Sequence, residues 1–375
     1  MTTPLCPYFG SCGGCTFQHL SYEEQLDRKK NELIQALGIL EQKEKITIFS
    51  DKEYFYRNRM DFIFHAGGIG LRKKGDWRHI IDIDKCVISN EFLNTLLQEV
   101  RLFFKGCDYF DVRKNVGTFR YAVIRTPVGD SSISFVLNSD SSKIAEAIDQ
   151  IKLFSEKTSA KNVLVTYVPS QTDVSISSDF FVVKGTDILH ETFLGKNFEY
   201  SVQGFFQNNS VMAEKMHQYV HKIIKSYDTA KFHLLDLYGG VGTFGIINAE
   251  NFLSTTIIEG DKNCIDAAKK NIQLNNTQNT SALVLDAMQL KKLNMPKPLI
   301  VITDPPRSGM HPKTIEKLVL LKPHLIIYVS CNPAELAKEL PKFKEYELAS
   351  IALFDLFPQT PHSEVVIELV RKIIS

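Results

Sequence analysis

Through much of residues 46–200, apolar and polar positions alternate with a period of two. The clearest runs are RMDFIFH, FRYAVIRT, SISFVLN, NVLVTYV and DVSIS, the pattern of strands with one face buried. Helices are expected to interrupt them near 89–104 and 140–154, so this half reads as α+β with antiparallel pairing. After about residue 200 the pattern changes to short, continuously apolar strands alternating with helices: HLLDLY, TTIIEG, SALVLD, LIVITD and HLIIYVS. Strands buried on both faces signal a parallel sheet in an α/β domain. Two more strands are expected near 347–354 and 363–370. The connection DLFPQTPH is too short for a crossover helix, so these two should pair antiparallel. The expected C-terminal architecture is a Rossmann-like sheet of seven strands with one reversed. Near the N-terminus, Ser21-Tyr22-Glu23-Glu24 has the form of a capping box and Gly38 that of a helix stop, which predicts a helix over 22–37.

Composition narrows the class without naming it. The chain has 375 residues, 44% hydrophobic and 23% charged, with a net charge of +1. This is an ordinary globular profile with room for two domains, and it excludes disorder. No apolar run reaches the roughly 20 residues of a spanning helix, and the first residues lack the basic and apolar regions of a secretory signal. A cytoplasmic location is therefore expected. The near-zero charge hides one local bias: eight of the eleven arginines fall between Arg57 and Arg125. Arginine suits phosphate contacts and base stacking, so this segment reads either as a polyanion-facing surface or as a solvated face paired with Asp61, Asp76, Asp82 and Asp84.

Three of the seven cysteines crowd the start of the chain, as Cys6-x5-Cys12-x2-Cys15. The glycines between Cys12 and Cys15 allow a tight fold in which thiolates converge on a metal centre. A fourth ligand must come from elsewhere. Cys86 is the nearest, and Cys107 follows the expected helix at 89–104. Four thiolates suit zinc or an iron–sulfur cluster. Three clustered ligands plus one remote ligand favour Fe4S4 over the paired hairpins of zinc sites.

The stretch HLLDLYGGVGTFG runs from strand into helix and contains Gly240-x-Gly242-x-x-Gly245, with Glu259 at the end of the next strand. NAD, FAD and S-adenosylmethionine all use a glycine turn followed by an acid. Asp236 near the end of the first strand suits a cationic ligand better than a pyrophosphate, and a reversed terminal hairpin is the usual topology of adenosylmethionine-dependent methyltransferases. Glu259 and Asp286 fall at strand ends on one edge of the sheet. Two further motifs reach that edge. Asp304-Pro305-Pro306-Arg307-Ser308-Gly309 makes a stiff loop after the fourth strand. Ser330-Cys331-Asn332-Pro333 places a thiol just before a helix, where the helix N-terminus is expected to lower its pKa.

A thiol at this edge fits one chemistry well. Addition of a thiolate to carbon 6 of uracil turns carbon 5 into a nucleophile for a methyl donor. A general base must then remove the carbon 5 proton before the thiol can leave. Glu364 or His362, in TPHSE, is placed to do so, and partial desolvation would raise the carboxylate's pKa.

Taken together, C-x5-CGGC, YRNRM, GFFQNN, DLYGGVGTF, DPPRSG, SCNP and LFDLFPQTPHSE resemble the 5-methyluridine RNA methyltransferase family along essentially the whole chain, and more closely its branch acting on 23S ribosomal RNA. The resemblance implies an Fe4S4 cluster on Cys6, Cys12, Cys15 and Cys86. It implies S-adenosyl-L-methionine contacts from Gln207, Tyr238, Thr243, Glu259, Asp286 and Asp304, with Cys331 as nucleophile and Glu364 as base. Gly239 stands where many members have cysteine, a change expected to matter little, and Thr243 where others have asparagine. The N-terminal RNA-binding β-barrel of many relatives is not found before Cys6, which fits the ribosomal branch and shifts RNA binding to the 46–200 region.

The domains expected are residues 1–200, bearing the cluster and the RNA-binding surface, and residues 201–375, the methyltransferase domain. The partner is RNA, with 23S rRNA first and the T-loop uridine of tRNA as runner-up; no membrane is involved and the protein is expected to be a monomer. The target base must leave its stack to meet Cys331, and Phe205, Phe206 and Tyr56 are candidates to stack on it unless they pack in the core. An NAD-dependent oxidoreductase would explain Gly240 and Glu259 but leave SCNP and DPPRSG idle. A zinc-bearing RNA-binding protein would leave Cys331 and Glu364 idle.

Overall fold

The computed structural model describes residues 2–39 and 46–372. Residues 2–20 form an arm of turns. Helix α1 (Tyr22–Leu37) follows, with both halves of the Ser21–Glu24 capping box formed and Gly38 as the left-handed C-cap. Its buried stripe, Gln25, Lys29, Leu33 and Ile34, and the short strand β1 (Ile46–Phe49) face the C-terminal half of the chain.

A seven-stranded sheet comes next, built from β2 (Arg59–His65), β3 (Gly68–Lys73), β4 (Asp76–Asp82), β5 (Phe119–Arg125), β6 (Ser132–Asn138), β7 (Asn162–Val168) and β8 (Phe180–Lys184). Its order is β4-β3-β2-β5-β6-β7-β8. Helices α2 (Glu91–Phe103) and α3 (Ile144–Ser155) contribute to its core, where Phe62, Phe64, Phe104, Phe119, Phe135 and Phe154 meet. Two expectations are corrected: DVSIS (173–177) is a loop, with β8 starting after it, and β6 and β7 are parallel rather than antiparallel. Helix α3 lies between them and returns the chain in the same direction, as a parallel pair requires.

The hairpin β9 (Ile188–Phe193) and β10 (Lys196–Ser201) joins the two halves. Helix α4 (Ser210–Lys225) then leads into a second sheet, made from β11 (His233–Leu237), β12 (Ser254–Glu259), β13 (Thr280–Val284), β14 (Leu299–Thr303), β15 (Leu325–Ser330), β16 (Tyr346–Phe354) and β17 (Glu364–Arg371). Between these strands run α5 (Thr243–Asn248), α6 (Lys262–Leu274), α7 (Pro312–Leu321) and α8 (Pro333–Glu339).

The order of this sheet is β1-β16-β17-β15-β14-β11-β12-β13, and β17 alone runs antiparallel to its neighbours. The seven expected strands are present with the expected reversal. The eighth, β1, comes from far upstream and pairs parallel with β16, Ile46 opposite Ile351. A single cut at residue 200 therefore does not separate the two sheets, because α1 and β1 pack with the C-terminal one. No helix among the described residues is long and apolar enough to cross a membrane.

Candidate active site

A cavity of about 950 Å³ opens at the carboxyl ends of β11, β12, β14 and β15, closed on one side by the N-terminal arm. Strand order reverses there, since β12 lies on one side of β11 and β14 on the other, and open α/β sheets bind ligands at such a point. Gln207, Tyr238, Thr243, Glu259, Asp304, Cys331 and Glu364 all line it.

The glycine turn builds the cavity's floor. Gly242 has φ +91°, a left-handed conformation that opens α5. Gly240 N–H donates to Glu259 Oε2, while the N–H groups of Gly260 and Asp261 donate to Oε1. The Glu259 carboxylate is thus pinned by backbone and turned toward the cavity. Gly239 matters more than its family comparison suggests. A Cβ there would lie 2.6 Å from Ile257 Cγ2 and 3.0 Å from Asp236 Oδ2, so a side chain at this position requires a neighbour to move.

Two acids lie elsewhere than the sequence implied. Asp236 is completely buried beneath the turn, where Oδ2 accepts from Gly245 N–H, Oδ1 has no partner among the described residues, and burial pushes its pKa to about 7. It supports the turn from below and is not part of the cavity wall. Asp286 is exposed and caps the short turn that follows it by accepting from Met288 N–H, and it too is absent from the wall.

The chemical end of the cavity is set by two neighbouring strands. Ser330 on β15 lies opposite Val365 on β17, so Cys331 and Glu364 sit at the same end of these neighbouring strands, and the Glu364 charge acts on the Cys331 thiol. Glu364 is 6% exposed; burial first and the Asp304 charge second raise its pKa well above the carboxylate range, against the pull of Arg307. Asp304 is itself pushed up to about 7 by burial and by Asp236. The Cys331 thiol corrects the expectation of a depressed pKa: burial, then Glu364 and Asp304, push it to about 11, and Arg307 opposes them. Helix α8 has only 7 residues, too short a dipole to outweigh burial and two acids.

Sequence reasoning passed over Arg307 as a site residue. It lines the cavity, and Asn332 Nδ2 donates to its carbonyl at 2.9 Å, so the SCNP loop holds the DPPRSG loop in place. The signal was present in both motifs but lay in their mutual contact. His362 also lines the cavity, its pKa lowered by burial, Arg307, Lys29 and Arg57. Of the three aromatic candidates, Phe205 is 70% exposed on the cavity wall. Phe206 is core, stacked on Tyr200 and Phe193. Tyr56 is tied by its hydroxyl to Pro358 O.

YRNRM and GFFQNN meet across the junction. Asn58 N–H donates to Asn208 O, and its side-chain amide to Gln207 O and Ser210 Oγ. Arg125, 2% exposed, donates to the carbonyls of Ser201, Val202 and Gly204. The segment carrying Phe205 and Gln207 is thereby fixed. Most of the other clustered arginines are also structural. Arg59, Arg72 and Arg101 pair with Asp61, Asp173 and Asp82, and Arg120 is buried.

The arm brings Cys6, Cys12 and Cys15 next to Cys86. Burial raises the first three thiols, Cys15 to about 12, and each feels the charge of Cys86. All four are free thiols. Asn94 on α2 holds Cys86 by its own N–H and carbonyl. Cys107 responds only to burial and Asp108 among charged neighbours, so it stands apart from this group. Among the described residues no three His, Cys, Asp or Glu side chains converge closely enough to grip a single metal ion.

Comparison with known proteins decides the class. The model of the tRNA (Uracil-5-)-methyltransferase family matches residues 21–372. The chain belongs to this family. It is a uracil-C5 RNA methyltransferase by class. An RNA methyltransferase of Caldanaerobacter subterraneus is 34% identical, the match covering 96% of this chain and 83% of that protein. The tRNA (uracil(54)-C(5))-methyltransferase of Pyrococcus abyssi is 31% identical over 98% of this chain and 86% of its own length. Its structure in complex with S-adenosyl-L-homocysteine superimposes with a TM-score of 0.79, at 28% identity, covering 95% of this chain and 86% of that one. Family membership sets aside the oxidoreductase reading.

Proposed function

We propose that this methyltransferase modifies carbon 5 of a uridine in RNA, with Cys331 as nucleophile and Glu364 as proton acceptor. The observation that carries the reading is that Cys331 and Glu364 line the same cavity as Tyr238, Glu259 and Asp304, at the switch point of the sheet. S-adenosyl-L-methionine, when bound, supplies a methyl group and a positive charge. The wall suits it: Glu259 offers acceptors to ribose hydroxyls, Tyr238 an aromatic face, and Asp304 a carboxyl group with no side-chain hydrogen bond among the described residues. Gln207 and Thr243 line the same space. The Cys331 thiol gives up its proton to solvent, and the resulting thiolate bonds to carbon 6 of the extruded uracil and drives electron density to carbon 5. After carbon 5 has gained the methyl group, its remaining proton passes to Glu364. The carbon–sulfur bond then breaks and the thiolate departs. Arg307 favours the ionised forms of both Cys331 and Glu364.

The four gathered thiols fit an Fe4S4 cluster by donor chemistry. They are all sulfur, partly buried and too spread for one ion, whereas a cluster spans more space. Cys6, Cys12, Cys15 and Cys86 would hold it, and residues 2–20 and 59–184 with it would form the RNA-facing unit beside the methyltransferase sheet.

For the target, three Pyrococcus relatives are tRNA (uracil(54)-C(5))-methyltransferases, which supports the T-loop uridine. The motif resemblance supports 23S rRNA. Labelled S-adenosylmethionine offered with unmodified tRNA and 23S rRNA transcripts distinguishes them: label in 5-methyluridine of one RNA names the target. No label in either, or label on another atom, contradicts the reading.

A further inference from the structure

Arg78 and Arg113 find no carboxylate partner among the described residues, and both line a second, smaller cleft of about 110 Å³. Its walls are the edge strand β4 and the segment 109–113, with Arg72, Arg120 and Tyr121 behind. Trp77 stands at its mouth, 52% exposed, with the Arg72 and Arg78 guanidinium groups 5.6 and 5.2 Å from its ring centre. Arg113 lies within hydrogen-bond distance of His79 Nε2, and His79 Nδ1 contacts Asp76. Arg120 is 3% exposed, lies over Phe110, and its Nε has no acceptor among the described residues.

Two tracks join this cleft to the catalytic cavity. Arg72 O accepts from Gly13 N–H at 2.9 Å, and Gly13 and Gly14 wall the cavity. On the other flank, Asp173 lines the cleft. The chain from it is held by Ser175 on Asp61 and by Ser177 N–H on Gln203, ending two residues from exposed Phe205.

We propose that this cleft binds one unpaired nucleotide of the substrate RNA, remote from the target uridine, with its base against Trp77 and its phosphate on Arg78 and Arg113. The chemistry is that of single-strand binding: an aromatic face accepts any base, and guanidinium forks hold the phosphate. The space admits a planar ring and excludes a duplex. The inference rests on the RNA methyltransferase reading but assigns a site apart from the chemistry.

Trp77 is the only tryptophan in the chain, so indole emission reports this cleft directly. In a titration of the full chain with the unmodified tRNA and 23S rRNA transcripts, stacking is expected to quench the emission, half-saturating where methylation half-saturates. Trp77→Ala and, separately, Arg113→Glu are expected to raise the KM for RNA by about tenfold or more, with kcat at saturating RNA retained. Unchanged emission while RNA saturates catalysis overturns the proposal, as does an unchanged KM in both variants. Absence of methylation by the wild type would overturn the activity reading alone, since the cleft stands or falls on RNA-dependent emission.

Discussion

At Cys331 the resting site favours the thiol, because burial and two acids raise its pKa to about 11. Below that value the ionised fraction grows about tenfold per pH unit. Single-turnover methylation should therefore climb with pH through the neutral range until another step limits it. Arg307 is the group that opposes the rise. Arg307→Ala is expected to move the climbing limb to higher pH and to lower the rate at pH 7 by about tenfold or more, measured by rapid quench at saturating RNA. A profile that keeps its position in the variant would show that Arg307 does not tune the thiol. Asp236 and Asp286 show a different limit of residue-level reading. Both are acids at the correct ends of strands, yet one is sealed under the glycine turn and the other caps its own turn. Periodicity places a residue on a strand but does not say whether backbone donors have already claimed its side chain.

Among the elements, α1 is the one whose role lay furthest from its place in the chain. Its capping box and glycine stop were legible because both are local chemistry. Its partners, about 300 residues on, were not. Lys29 and Asp355 form an ion pair with no side-chain exposure, and the same ammonium donates to Phe357 O. Gln25 and Gln359 exchange hydrogen bonds: the Gln25 amide donates to Gln359 Oε1, and Gln359 N–H donates to Gln25 Oε1. The loop carrying His362 into Glu364 is thus shaped by α1. Lys29→Met leaves the Asp355 carboxylate buried without its cation and should cost about 3–5 kcal/mol of stability in urea unfolding. Adding Asp355→Leu should recover much of that loss. A single variant as stable as the wild type would contradict this account of the loop. The same long-range logic explains why β1 was unexpected in the C-terminal sheet, while the strands that follow one another there were read from their apolar runs.

The whole molecule is tied together by the cysteine arm. Ser11 O and Gly13 N–H bond to the β3–β4 hairpin, and Thr16 and Phe17 N–H both donate to Gln359 O. Thus the segment that gathers the thiols also touches both sheets and one wall of the cavity. If Cys12 holds a cluster, Cys12→Ser should yield colourless protein. Amide exchange at Thr16, Phe17 and the 355–362 loop should also accelerate, while that of β11 and β14 is unchanged. Colourless wild-type protein purified without oxygen and carrying stoichiometric zinc would contradict the cluster assignment. The crowding of Cys6, Cys12 and Cys15 was legible from spacing, but the contact of their arm with the catalytic loop depends on how two halves of a long chain dock. The arginine cluster was legible only as a tendency, because burial and pairing took most of it for structure.

The central claim is that Cys331 and Glu364 act in sequence on one base, and a trapped intermediate tests it most directly. In Glu364→Gln the amide cannot accept the carbon 5 proton, so thiol addition and methyl transfer should proceed while elimination stalls. Incubated with target RNA and methyl-labelled S-adenosylmethionine, the variant should give a band that survives denaturing electrophoresis. The band should be shifted by the mass of the RNA and carry the label, and Cys331→Ala added to the variant should abolish it. Rapid multiple turnover by Glu364→Gln with no adduct would contradict the account and assign the proton to another group.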